Sequence, residues 1–162
     1  MNAMRRGIGL VIAVFAGCVY TFSGNLPGYA RKVYIPLVAN QSERQGVEQP
    51  LTEALIQAVE KDGRLTVRSE AQAGLAIRVV LTAYQREPYE YDEQGTIRSF
   101  RVWLTTRVEI QDLTKDTLFL PEMTLRAWGK YYAETETEDT GLQRAAEDLF
   151  RQILQALFAT GF

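Results

Sequence analysis

The stretch "SFRVWLTTRVEIQD" (99–112) sets the tightest limit on what this chain can fold into. Phe100, Val102, Leu104, Val108 and Ile110 fall on one side of a period of two. Arg101, Trp103, Thr105, Arg107 and Glu109 fall on the other. Such a segment is satisfied only as a β-strand with one buried and one polar face. "LAIRVVLTAYQ" (75–85) repeats the pattern, with Leu75, Ile77, Val79 and Leu81 set against Arg78, Thr82 and Tyr84. Strands buried on both sides read as continuous apolar runs, so clean alternation predicts an antiparallel sheet with one covered face. "TLFLPEMTLRAWGKYY" (117–132) reads as a further strand interrupted at Pro121. "LTKD" (113–116) is short enough for a turn, and "REPYEYDEQGTIR" (86–98) reads as a long polar connection with Gly95 at its tip.

The apolar face needs a cover, and two segments have helical spacing. "EQPLTEALIQAVEKDG" (48–63) repeats Leu51, Leu55 and Val59, with Pro50 in the first turn and Gly63 at the stop. A second helix starts near "EDTGLQ", where Thr140 and Gln143 have capping-box spacing. It carries Leu142, Ala146, Leu149, Ile153 and Leu157 on one stripe. The acidic run "ETETED" (134–139) reads as a solvated loop favourable to that helix N-terminus. "KVYIPLV" (32–38) reads as a first strand with Val33, Ile35 and Leu37 on one face, and Pro36 calls for an edge position or a bulge. "RLTV" (64–67) is a short strand. The order β-α-β-β-β-β-α predicts an α/β fold of the α+β sandwich kind. Its sheet is small, mixed and mainly antiparallel, with four to five strands and two helices packed on one face.

A length of 162 residues predicts one domain. The chain has no histidine, which removes the usual acid–base group and the commonest metal ligand. It has one cysteine, so neither an intrachain disulfide nor a cysteine cluster can form. The net charge of -2 gives no bias towards nucleic acid. Asp92 with Glu93, and Asp112 with Asp116, are the carboxylate pairs on offer for hydrolysis. Both lie in predicted turns, where acids serve the turn. No enzyme activity, metal or cofactor is expected.

The one cysteine stands in "VFAGCVY" (14–20). Arg5 and Arg6 precede an apolar run, residues 8–17, that is shorter than the ~20 residues a membrane-spanning helix needs. A charged start, a short apolar centre and small residues form the export-signal pattern. A buried N-terminal helix with an inert core cysteine is the alternative, and Gly7, Gly9 and Gly17 disfavour it. Phe15-Ala16-Gly17-Cys18 resembles a bacterial lipobox, with Phe15 in place of the usual aliphatic residue. That resemblance implies cleavage before Cys18, diacylglycerol on its sulfur and an N-acyl chain such as palmitate on the new amine. Val19 differs from the aspartate of an inner-membrane retention signal, which favours the outer membrane. Residues 1–17 are then a signal peptide, 18–31 a lipidated tether and 32–162 a single domain.

"CVYTFSG", a first strand running to "VAN", "LTEAL" opening a helix and "YDEQGT" before a long strand resemble the LPS-assembly lipoproteins of the LptE type. The likeness covers nearly the whole mature chain. It implies a non-enzymatic lipoprotein of the Gram-negative outer membrane, on the periplasmic side or in a barrel lumen. Such a protein plugs an LptD-type β-barrel, assists its assembly and helps deliver lipopolysaccharide to the outer leaflet. A body with apolar stripes inside and arginine, tyrosine and threonine outside suits a polar lumen. The alternative is a periplasmic envelope lipoprotein that acts as a ligand-binding or structural module without a barrel. The non-core strand faces gather Arg78, Arg101, Arg107 and Arg126 with Trp103 and Trp128, while Arg86 and Arg98 flank the 86–98 connection. Arginine matches phosphate geometry, and lipid A carries phosphates. Contact with lipopolysaccharide, contact with a protein partner, and a solvated face paired to Glu109 or Glu122 all stay open.

Overall fold

The computed structural model describes residues 26–159. The expected signal peptide, Cys18 and the first part of the expected tether lie outside the described residues. A six-stranded sheet is built from β1 (Lys32–Tyr34), β2 (Ala39–Asn40), β3 (Thr66–Val67), β4 (Leu75–Tyr91), β5 (Ile97–Asp112) and β6 (Thr117–Tyr132). Its order is β3-β1-β4-β5-β6, with β2 pairing β4 further along. Pairings made by β1 and β2 are parallel, whereas β4, β5 and β6 form an antiparallel meander. Helices α1 (Glu48–Asp62) and α2 (Glu138–Ala159) complete the α+β fold that the alternation predicts.

Alternation in β5 becomes burial. Val102, Leu104, Val108 and Ile110 are fully enclosed, as are Leu75, Ile77 and Leu81 of β4. Leu51, Leu55 and Val59 of α1 and Leu149, Ile153 and Leu157 of α2 join them in one core. Gly63 ends α1 in the left-handed conformation, φ 77°, and its N–H donates to Val59 O. The first turn of α2 lies so close to β6 that a Cβ on Gly129 would stand 2.1 Å from the Gly141 carbonyl oxygen.

Several expectations need correction. The chain 86–98 is mostly strand: β4 runs to Tyr91 and β5 resumes at Ile97, so the connection is only residues 92–96. Tyrosine and charge made 86–91 look like loop, but a strand with solvent at its edge tolerates both. A register shift between Leu81 and Ala83 adds one residue to β4 and changes its phase. It turns Tyr84 and Arg86 towards the helix-covered face. Pro121 does not interrupt β6, because the strand lies at the sheet edge and its pairing shifts between Val108 and Ile110.

The first strand stops at Tyr34 and β1 is internal, so Pro36 falls in a break rather than at an edge. Val33 and Ile35 are buried, while Leu37 beyond the break is 65% exposed. The tether is folded by its end: Leu26 and Ala30 are buried, and Tyr29 donates its hydroxyl proton to Asp112 over 3.0 Å. Finally, α2 begins at Glu138, which places Thr140 inside the helix, its N–H bonded to Thr137 O.

Candidate functional site

The helices cover one face of the sheet, and the opposite face of the meander carries its polar side chains to the surface. In register across β4, β5 and β6 stand Glu87, Arg101 and Lys130, then Gln85, Trp103 and Trp128. Arg107 pairs with Thr124 and Arg126 with Thr105. Arg78, Arg101, Trp103, Arg107, Arg126 and Trp128 therefore share this face, as the period of two requires.

At its centre, the Arg101 guanidinium lies 4.6 Å from the Trp103 ring and 4.7 Å from Tyr89. Glu87 fixes it from β4, accepting from Arg101 Nη2 at 2.6 Å and from Trp103 Nε1 at 2.8 Å. The Arg101 bond, then the indole bond, holds the Glu87 carboxyl below the usual carboxylate range. Arg126 places its guanidinium 4.0 Å over Trp103. No carboxylate lies within ion-pair distance of Arg126 among the described residues. Trp128 sits 6.2 Å from Trp103 and 6.0 Å from Tyr89, and about two-fifths of it is exposed. The hydrophobic effect alone would hide such rings, and cation–π contact with arginine lets them stay at the surface.

Around this centre the charges are largely matched. Lys130 reaches Glu90 at 3.3 Å and stacks 4.7 Å from Tyr132. Its ammonium is pushed up first by Tyr132 and then by Glu90. Arg107 bonds Gln41 at 2.9 Å and meets Glu122 only at 4.0 Å. Arg78 bonds Gln111 rather than Glu109.

Two expected site residues lie elsewhere. Arg86 is on the covered face, where its Nε donates to the Tyr131 hydroxyl at 2.6 Å and its guanidinium stacks 3.9 Å over Phe100. It also approaches Glu138, which accepts the Tyr84 hydroxyl at 2.6 Å and pairs with Arg44 at 3.2 Å. Burial, then the Glu138 bond, pushes the Tyr84 phenol up. Arg98 lines a surface cleft of about 340 Å³ with Asp92, Ile97, Tyr132 and Glu134 at the far end of the hairpin. "ETETED" is not simply solvated, since Glu136 pairs with Arg144 at 2.7 Å and Glu138 closes the cluster just described.

Sequence reasoning missed Glu87, Glu90 and Lys130. Reading 86–91 as loop hid the two glutamates, while Tyr89, one of the tyrosines of that connection, joins the cluster. The carboxylates once weighed for hydrolysis serve turns: Asp92 accepts from the N–H groups of Gln94 and Thr96, and Asp112 from those of Thr114 and Lys115. Among the described residues, no group of side chains could hold a metal ion, and no helix is long and apolar enough to cross a membrane.

A polar sheet face backed by two helices defines the class: a small α+β module. Residues 30–157 match the family described as "LptE: Lipopolysaccharide-assembly", and the chain belongs to that family. No curated protein sequence matches it. Solved structures share the fold at low identity. A PelC variant dodecamer from Paraburkholderia phytofirmans is 15% identical with a TM-score of 0.52, covering 83% of this chain and 94% of its own. A hypothetical protein from Chlamydia trachomatis is 10% identical with a TM-score of 0.51, covering 79% and 95%.

Proposed function

We propose that this protein is lipidated at Cys18 and held at the outer membrane. There it assists assembly of an LptD-type β-barrel, occupies its lumen and helps pass lipopolysaccharide to the outer leaflet. The observation that carries this reading is the family match over residues 30–157. The polar sheet face supports it, because a body lodged in a barrel must present polar side chains to a polar wall. In this reading Arg126 is the donor open to an incoming phosphate. It lies 4.0 Å over Trp103 and has no carboxylate partner among the described residues. Arg101 is engaged by Glu87 and acts through position, keeping Trp103 and Tyr89 in place.

Depletion in the source cell tests the reading. Surface lipopolysaccharide should fall while total lipopolysaccharide does not, because synthesis is untouched and delivery fails. Unchanged surface lipopolysaccharide after depletion sinks the delivery role and leaves a ligand-binding or structural envelope lipoprotein.

A further inference from the structure

The two long edges of the sheet are finished differently. β6 is an outermost strand, and its outward backbone groups are closed by α2 and the turn before it. Gln152 Nε2 donates to Arg126 O at 3.1 Å, and the Trp128 N–H donates to Asp148 at 3.3 Å. Arg144 Nη1 donates to Lys130 O at 2.6 Å. The Tyr132 N–H donates to Glu136 Oε2 at 2.9 Å, and the Glu136 N–H returns to Tyr132 O at 3.0 Å. Side chains stand in for a missing strand, as expected where a long edge must be kept from pairing.

The other edge of β4 has no such closure along half its length. β1 and β2 cover it as far as Leu81, whose carbonyl accepts the Gln41 N–H at 2.8 Å. From Ala83 to Tyr91 the strand pairs on one side only, with β5. Among the described residues, nothing is bonded to the backbone on its open side. Pro88 marks that side. A proline is tolerated in a strand where its missing N–H would face away from the ladder. The same alternation then turns the backbone groups of Tyr84 and Arg86 outward.

We infer that the open edge of β4 receives an extended segment of the barrel partner as an added strand. Main-chain bonds supply affinity in this mode, and flanking side chains supply choice. The partner's identity rests on the proposed function; the edge itself does not. The flanking charge selects the occupant. Arg44 and Arg86, 56% and 44% exposed, lie on the covered side of this edge and share the single carboxylate of Glu138. The favoured segment therefore sets an aspartate or glutamate beside them. A second copy of this chain fits badly: antiparallel self-pairing about Arg86 opposes two arginines, pairing about Glu87 at the middle of the open stretch opposes two glutamates, and like charges directly opposed destabilise. Moving the centre to Pro88 opposes two residues with no N–H to share.

Amide hydrogen exchange on the purified complex with the barrel, compared with the free lipoprotein, tests the inference. The Tyr84 and Arg86 amides should exchange roughly tenfold or more slowly in the complex. Gln85 and Glu87, already in the β5 ladder, should change little. Arg86→Pro, which removes an outward donor, should weaken the complex, and Arg86→Glu should weaken it with the donor intact. A complex that forms with both amides exchanging as fast as in the free protein overturns the inference alone. Protection that instead rises with concentration in the free protein also overturns it and assigns the edge to a second copy. If no complex forms at all, the barrel reading and this inference fall together.

Discussion

At the scale of single residues, the exposed face separates arginines that sequence position alone makes equivalent. Arg101 and Arg126 both approach Trp103, yet among the described residues Arg101 has a carboxylate within ion-pair distance and Arg126 has none. Arg126→Ala should therefore lower binding to lipopolysaccharide-containing vesicles several-fold without moving the melting temperature. Arg101→Ala should lower both, because it frees Glu87 and uncovers two rings. Equal loss of binding with unchanged melting in both variants would remove this division of roles. That these side chains share a face was legible from the period of two. Which of them lacks a carboxylate was not, since it depends on Glu87, two residues beyond Gln85, where the sequence pattern ends the strand.

Asp112 is the other informative residue, 2% exposed at the end of β5. Burial alone would raise its carboxyl, but bonds from the Thr114 hydroxyl and N–H, Tyr29 and Lys115 outweigh burial and leave it lowered. A lowered folded value means that its contribution is complete above the ordinary carboxylate range. The contribution is lost as pH falls through the lower, folded value. Asp112→Asn should cost about 2 kcal/mol near neutral pH. In denaturant titrations the gap to the unsubstituted protein should narrow as pH drops below about 4. A gap that widens in acid would mean the carboxylate opposes the fold.

At the scale of elements, packing rather than propensity fixes α2. Its first turn meets β6 through Gly129 and Gly141, where any Cβ on Gly129 collides with backbone. Gly129→Ala should cost about 1–3 kcal/mol by displacing the helix, and Leu149→Ala about 3 kcal/mol by opening a cavity in the core. Urea midpoints check both, and a neutral Gly129→Ala would show that helix and strand do not approach so closely. The stripe on α2 was readable. Its start near Glu138 was readable too, but the way that end is held was not, because it depends on Glu136 and Glu138 reaching Arg144, Tyr84 and Arg86 across the fold. Likewise the long meander was readable, but the phase change at Leu81–Ala83 was not. Nothing in "LTAY" distinguishes a bulge from regular strand.

At the scale of the whole molecule, the chain's entry and the aromatic–arginine cluster lie far apart along β5. The turn Gly28–Arg31 docks where β4 begins and β5 ends, with Tyr29 bonded to Asp112. Trp103 lies nine residues back along β5, about 30 Å away at the usual strand rise. Eight residues from Cys18 to Leu26 reach at most about 29 Å. In the proposed arrangement the anchor thus holds one end of the body near the lipid, while the aromatic–arginine cluster meets the barrel wall farther from it. Cys18→Ala should block lipid attachment and release the protein from membranes, read by intact mass and by membrane fractionation. An unchanged mass and unchanged membrane attachment would refute the anchor.

The central claim is a barrel partner, and crosslinked co-purification from intact cells addresses it most directly. The full chain should carry with it one large outer-membrane β-barrel in near-equimolar amount, and crosslinks placed at Trp128 or Arg126 should map to that barrel's inner wall. Recovery of the lipoprotein with no β-barrel bound, under conditions that preserve other envelope complexes, would contradict it.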